Sequence, residues 1–110
     1  MMWIHIHHKG RHMAVWVDDM RIAKHGKLWC HLVADSWEEM HEFALHTLKL
    51  EARRFHGKAK LPHYDVTIWE RDLALQLGAV AVHHRQIVVC ARKLLAAQQV
   101  FFISSLLQAA

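Results

Sequence analysis

The sequence predicts a small α/β or α+β domain: a short single-layer sheet of about three strands with about three helices packed on it, in the order β-β-α-α-β-α. Three observations lead there. An apolar, β-forming run from Met13 to Val17 stops abruptly at Asp18-Asp19, and two Ser/Thr-x-x-Glu boxes, at Ser36 and Thr67, each open an apolar pattern of helical period. The 110 residues are 54% hydrophobic and 22% charged, which is enough apolar surface for one core and too much for a disordered chain.

The first twelve residues, MMWIHIHHKGRH, run into a second start-like stretch, MAVWVDD, and read as a tag or mis-start ahead of a domain over residues 13–96. The other reading, with Trp3, Ile4 and Ile6 on a native edge strand, stays open at this point. Met13 to Val17 is a strand buried on both faces, with carboxylates at its end. Residues 21–27, polar with Gly26, form a loop. From Lys27 to Ala34 the alternation puts Leu28, Cys30, Leu32 and Ala34 on one face and Trp29, His31 and Val33 on the other. A helix follows over residues 36–50, with Met40, Phe43, Ala44 and Leu48 at helical spacing behind the Ser36 box. Residues 51–61 read as a basic loop leading to Pro62. The Thr67 box opens a second helix with Gly78 as its C-cap, residues 79–82 are a short strand, and a last helix runs from about His84 to at least Ala97. Residues 97–110 form its apolar extension.

Charge excludes little. The formal charge is +4, but without Lys9 and Arg11 the chain is close to balanced, and its Lys and Arg are scattered rather than gathered as on a nucleic-acid face. Cys30 and Cys90 stand alone in apolar runs, as buried free thiols of a cytoplasmic protein do. Arg92-Lys93 interrupts the most apolar stretch, so no transmembrane segment is expected. Phosphate-binding loops, the nucleophile elbow and H-E-x-x-H are all missing from the sequence.

AVWVDDM at Ala14 to Met20, CHLVADSWEEMHEFA at Cys30 to Ala44, PHYDVT at Pro62 to Thr67 and RDLALQLGAVAV at Arg71 to Val82, in this order and spacing, resemble the domain of unknown function 4031 family. The resemblance covers residues 13–93, and HYD and VDD are its most specific parts. It implies no activity. It does place Asp18, Asp19, His31, Asp35, His41, His63, Tyr64, Asp65 and Arg71 on the family's polar signature.

Each of these residues has a functional and a plainer reading. Asp18 and Asp19 at a strand end could ligate Mg²⁺ or Mn²⁺, ahead of Zn²⁺, or could cap the turn before Arg21. Successive strand residues face opposite ways, so one of the pair at most serves a given site unless the strand has already ended. His63 and Asp65, two apart, project to one side of an extended segment while Tyr64 packs away; Asp65 and Thr67 could instead cap the next helix. His31 would be a core histidine unless Asp18 or His63 lies beside it. His41 lies off the apolar stripe of its helix, toward the sheet edge or solvent. His83-His84 and the N-terminal histidines could bind Zn²⁺ or Ni²⁺ adventitiously.

Two functions follow as expectations. One is a metal-dependent hydrolase acting on a phosphoester of a nucleotide or nucleic acid, with Asp18, Asp19 and Asp65 as ligands and His63 or His31 as general base. The other is a non-enzymatic module that binds a protein or a nucleotide, in which the same set is a structural polar network. The apolar tail is expected to make a homo-oligomer contact.

Overall fold

The computed structural model describes residues 14–109, so the reading of residues 1–12 as a leader lies outside the described residues. Strand β1 (Val15–Val17) is followed by β2 (Ile22–Lys24) and the long β3 (Lys27–Ala34). Helix α1 (Trp37–His41) passes into a π-helical turn at Glu42–Thr47. A 3₁₀ turn (Ala52–Arg54) leads into β4 (Phe55–His56), which is followed by β5 (His63–Thr67), α2 (Ile68–Gln76), β6 (Val80–Ala81) and α3 (His84–Ala109).

The mixed α/β class and the three helices stand, but the expected sheet of three strands does not. Among the described residues six strands form one sheet in the order β4-β5-β3-β1-β6, with β2 paired to the same edge of β3 as β1. Residues 21–27 contain β2 because Ile22 to Lys24 pairs with β3 across a turn at His25-Gly26; both turn residues have positive φ, as a tight hairpin requires. Residues 51–61 hold β4, which is too short to give an alternation signal. It nevertheless pairs Phe55 with Tyr64 and His56 with His63. Beyond it, the segment from His63 to Thr67 is a full strand, whose last residue is also the cap of α2.

The caps form as their chemistry dictates. Ser36 Oγ accepts from the Glu39 amide at 3.1 Å, and Thr67 Oγ1 accepts from the Glu70 amide at 3.2 Å while Glu70 Oε1 accepts from the Thr67 amide at 2.8 Å. The first helix is shorter than expected in α form. Leu48 N–H reaches back to the Phe43 carbonyl at 2.9 Å, a π-type bond, and Lys49 at φ 61° ends the segment. Gly78 closes α2 at φ 113°, a conformation that an L side chain rarely adopts.

On one face of β3, Cys30, Leu32 and Ala34 are fully buried while Leu28 near its start is 42% exposed, and Val17, Val66 and Met40 join the buried part in the core. Both cysteines are free and buried; burial pushes the Cys90 thiol up to about 11, and its S–H donates to the Ala34 carbonyl at 3.0 Å. The opposite register row crosses three strands and carries Asp18, His31 and Asp65. That row is polar.

Candidate functional site

Asp18 is positioned by a break in the sheet edge. Val17 pairs with Leu32 and Ile22 with Trp29, so the four residues from Asp18 to Arg21 stand opposite only Cys30 and His31, a bulge that Arg21 accommodates at φ 51°. The Asp18 amide still donates to the His31 carbonyl at 3.2 Å. The Asp18 carboxylate then replaces the missing ladder acceptor: Oδ1 accepts from the His31 amide at 2.9 Å and the Met20 amide at 3.3 Å. Its Oδ2 lies 2.7 Å from His31 Nδ1 and 2.8 Å from His84 Nδ1. This carboxylate is fully buried. Burial alone would raise its pKa, but the bonds from the His31 side chain and backbone and from His84 outweigh that and hold it at about 2.

Asp65 stands opposite His31 in the β3–β5 register, and His63 lies two residues away on the same face. Asp65 Oδ1 is 3.2 Å from His63 Nε2; Oδ2 is 2.9 Å from His56 Nε2 and 3.3 Å from Lys24 Nζ. Burial would raise the Asp65 pKa, yet the bond from His63, the charges of His56 and His63 and the bond from Lys24 drive it well below the usual carboxylate range. His63 Nδ1–H donates to the Leu61 carbonyl at 2.8 Å. Burial opposes charge on this ring, but the bond to Asp65, the Leu61 carbonyl and the two carboxylate charges raise its pKa overall. Both ring nitrogens thus face acceptors. Two protons satisfy them, or one proton and a cation.

The four rings adjoin. Centroids of His31 and His63 are 5.0 Å apart, those of His31 and His84 5.2 Å, and His56 stacks on His63 with 5° between planes. Two triplets have ligand atoms mutually within 4.8 Å: His31, His63 and Asp65, and Asp18, His31 and His84. In the second triplet the approaching nitrogens are already committed to a buried carboxylate. In the first, Asp18 fixes His31 by Nδ1 and Leu61 fixes His63 by Nδ1, which leaves the Nε2 lone pair of each ring for coordination beside Asp65.

Of the residues singled out from sequence, Asp18, His31, His63 and Asp65 come together. Asp19 does not: it is exposed and pairs with Arg21 at 2.5 Å, and it belongs to neither of the two ligand triplets. Arg71 touches the site from behind, Nε donating to the Asp18 carbonyl at 2.6 Å. His41 and Tyr64 bond to each other at 2.7 Å beside Phe55, on the buried side of the sheet. Burial lowers the His41 pKa and raises that of Tyr64, which marks a neutral core pair. Asp35 accepts from Trp16 Nε1 at 2.8 Å at the other end of β3.

The cluster also holds His56 and Lys24, which were not singled out from sequence, and His84, which the sequence suggests only as an adventitious metal binder. For His56 a signal existed. Phe55-His56, a Gly57-containing turn and His63-Tyr64 form a mirrored aromatic-His/His-aromatic pattern, which a hairpin folds into facing pairs. Arg54 locks this hairpin by a two-pronged bond to Glu70, at 2.7 and 2.9 Å, while lying over the Trp29 ring.

No curated protein and no solved structure matches the chain. The family model described as "Protein of unknown function (DUF4031)" matches residues 15–94, which include every residue of the cluster. The chain therefore belongs to the DUF4031 family.

Proposed function

We propose that this protein is a metal-dependent hydrolase of phosphoesters whose cation is held by His31, His63 and Asp65. One observation carries the reading: two imidazoles, each anchored by Nδ1 to an acceptor that fixes its orientation, converge with a carboxylate within 4.8 Å. Asp18 takes the role of the carboxylate that orients a ligating imidazole rather than that of a ligand. The expectation of Mg²⁺ or Mn²⁺ rested on carboxylates alone; a donor set with two imidazoles suits Zn²⁺ or another borderline transition ion better. A cation there lowers the pKa of a bound water and polarises a phosphoryl oxygen. With a cation bound, water would supply the oxygen that joins phosphorus, and His56 would relay the water's proton to the oxygen of the breaking ester P–O bond, which leaves as the alcohol. Lys24, whose ammonium lies beside Asp65, supplies positive charge for the phosphoryl oxygens.

The test is calorimetric titration with Zn²⁺ and Mn²⁺ of the full chain carrying His5, His7, His8 and His12 replaced by Ala, followed by hydrolysis of bis(p-nitrophenyl) phosphate. One ion per chain is expected, with binding lost in His63→Ala and weakened roughly 10- to 100-fold in Asp18→Asn. Binding indifferent to His63→Ala and to Asp65→Ala would overturn the site. The second reading, a binding module with a structural polar network, is favoured by one fact: Lys24 and the imidazoles already partner both Asp65 oxygens. That reading expects no metal uptake and a large loss of stability in Asp65→Ala.

A further inference from the structure

We infer that the distal part of α3 is the interface between two copies of this chain. On its first turns α3 faces the domain with Ile87, Cys90, Ala91 and Leu94, all buried. Continued at helical spacing, that stripe becomes Gln98, Phe101, Ser105 and Gln108, so the core ends near Leu94. Phe101 is the one large apolar side chain on that continuation, and the others beyond Leu94 lie elsewhere. Leu95, Val100, Phe102, Ile103, Leu106 and Leu107 occupy an arc of roughly 160°, centred nearly opposite the domain-facing stripe. From Val100 to Leu107 the large apolar side chains are between 56% and 73% exposed. All of them except Phe101 are turned away from their own domain, which cannot cover them.

The occupant follows from charge, length and area. No charged residue lies between Lys93 and the end of the described helix, so nothing repels an identical helix, and nothing attracts an anionic lipid surface. Helix α3 is long and apolar enough to cross a membrane by composition. However, the part beyond residue 96 rises only roughly 20 Å, short of the roughly 30 Å of a hydrocarbon core. Five such side chains and the half-buried Leu95 on each of two copies remove roughly 1,000 Å² from water, the lower bound of a specific interface. Gln99 falls in the middle of the apolar arc. In a two-fold pair it meets Gln99 of the second copy, and a buried amide pair of this kind fixes register and stoichiometry.

Light scattering on the full chain at tens of micromolar tests this, with Phe102→Glu/Leu106→Glu as the disrupting variant and circular dichroism as the folding control. The wild type is expected at twice 12.9 kDa and the variant at 12.9 kDa with an unchanged core melting transition. Gln99→Leu is expected to keep self-association but to lose its single stoichiometry. A monomeric wild type, a variant that remains dimeric, or sedimentation of the wild type with neutral phosphatidylcholine vesicles that the variant abolishes would each overturn the proposal.

Discussion

Asp18 and Asp65 are both buried carboxylates held between imidazoles on one sheet face, yet they are built for different work. Asp18 is fully enclosed. Its two oxygens accept from two backbone amides and two Nδ1 atoms, and its own carbonyl is tied to Arg71. Asp65 keeps an open side, where its partners are the more exposed His56 and Lys24. The difference teaches how one residue type serves two ends. A carboxylate with every lone pair engaged inside the fold orients its neighbours, whereas one whose partners are long and solvent-facing can exchange them for a ligand.

The largest effect that bears on this contrast is on stability. Asp18→Ala leaves two amides and two ring N–H groups without their buried acceptor and is expected to cost about 3 to 5 kcal/mol; Asp65→Ala removes a carboxylate that is also held ionised but among more exposed partners, and is expected to cost about 2 to 3 kcal/mol. Urea unfolding of the two variants measures the gap, and equal losses would erase the distinction. Acid sharpens it further. A folded-state pKa of about 2 against 3.8 means that the Asp18 contribution is fully present above about pH 4 and disappears as pH falls through 2. It amounts to about 2 kcal/mol. The stability difference between wild type and Asp18→Asn should therefore shrink between pH 4 and 2, a trend that urea midpoints across that range follow directly.

A smaller effect is expected at Arg54. Arg54→Ala removes the bond that joins the β4 hairpin to Glu70, at a cost of about 1 to 2 kcal/mol, and loosens His56 without touching Asp18. Zn²⁺ affinity should fall several-fold while the His31–Asp18 contact, followed by imidazole NMR shifts, stays put. The smallest effect is at Asp19. As an exposed partner of Arg21, it should change stability by less than about 0.5 kcal/mol and metal uptake not at all. Metal binding that depends on Asp19 more than on Asp65 would reverse the assignment of the two faces.

Several parts of the chain could be read locally because their signals are local. The N-cap at Ser36, the full capping box at Thr67, Gly78 at the end of α2, and the alternation that sets His31 apart from Cys30 and Leu32 each arise from a few neighbouring residues. The same holds for His63 and Asp65, whose shared side follows from a period of two. Parity also limited Asp18 and Asp19 to one inward-facing carboxylate, though not which one. Strands β2 and β4 could not be read this way, since three and two residues carry no periodicity, and the polar stretches that contain them look like loops until a partner strand is supplied.

By itself, then, the sequence determined the residue types of the cluster, the mixed α/β class and three helices with their caps. Tertiary structure alone decided which histidines meet which carboxylate. His31 and Asp65, and His56 and His63, are brought together by strand register, and His84 reaches Asp18 because β6 runs parallel to β1 and delivers the start of α3 to the same end of the sheet. Register is a long-range property, selected by burying one face of β3 against the helices, and no short window of sequence contains it.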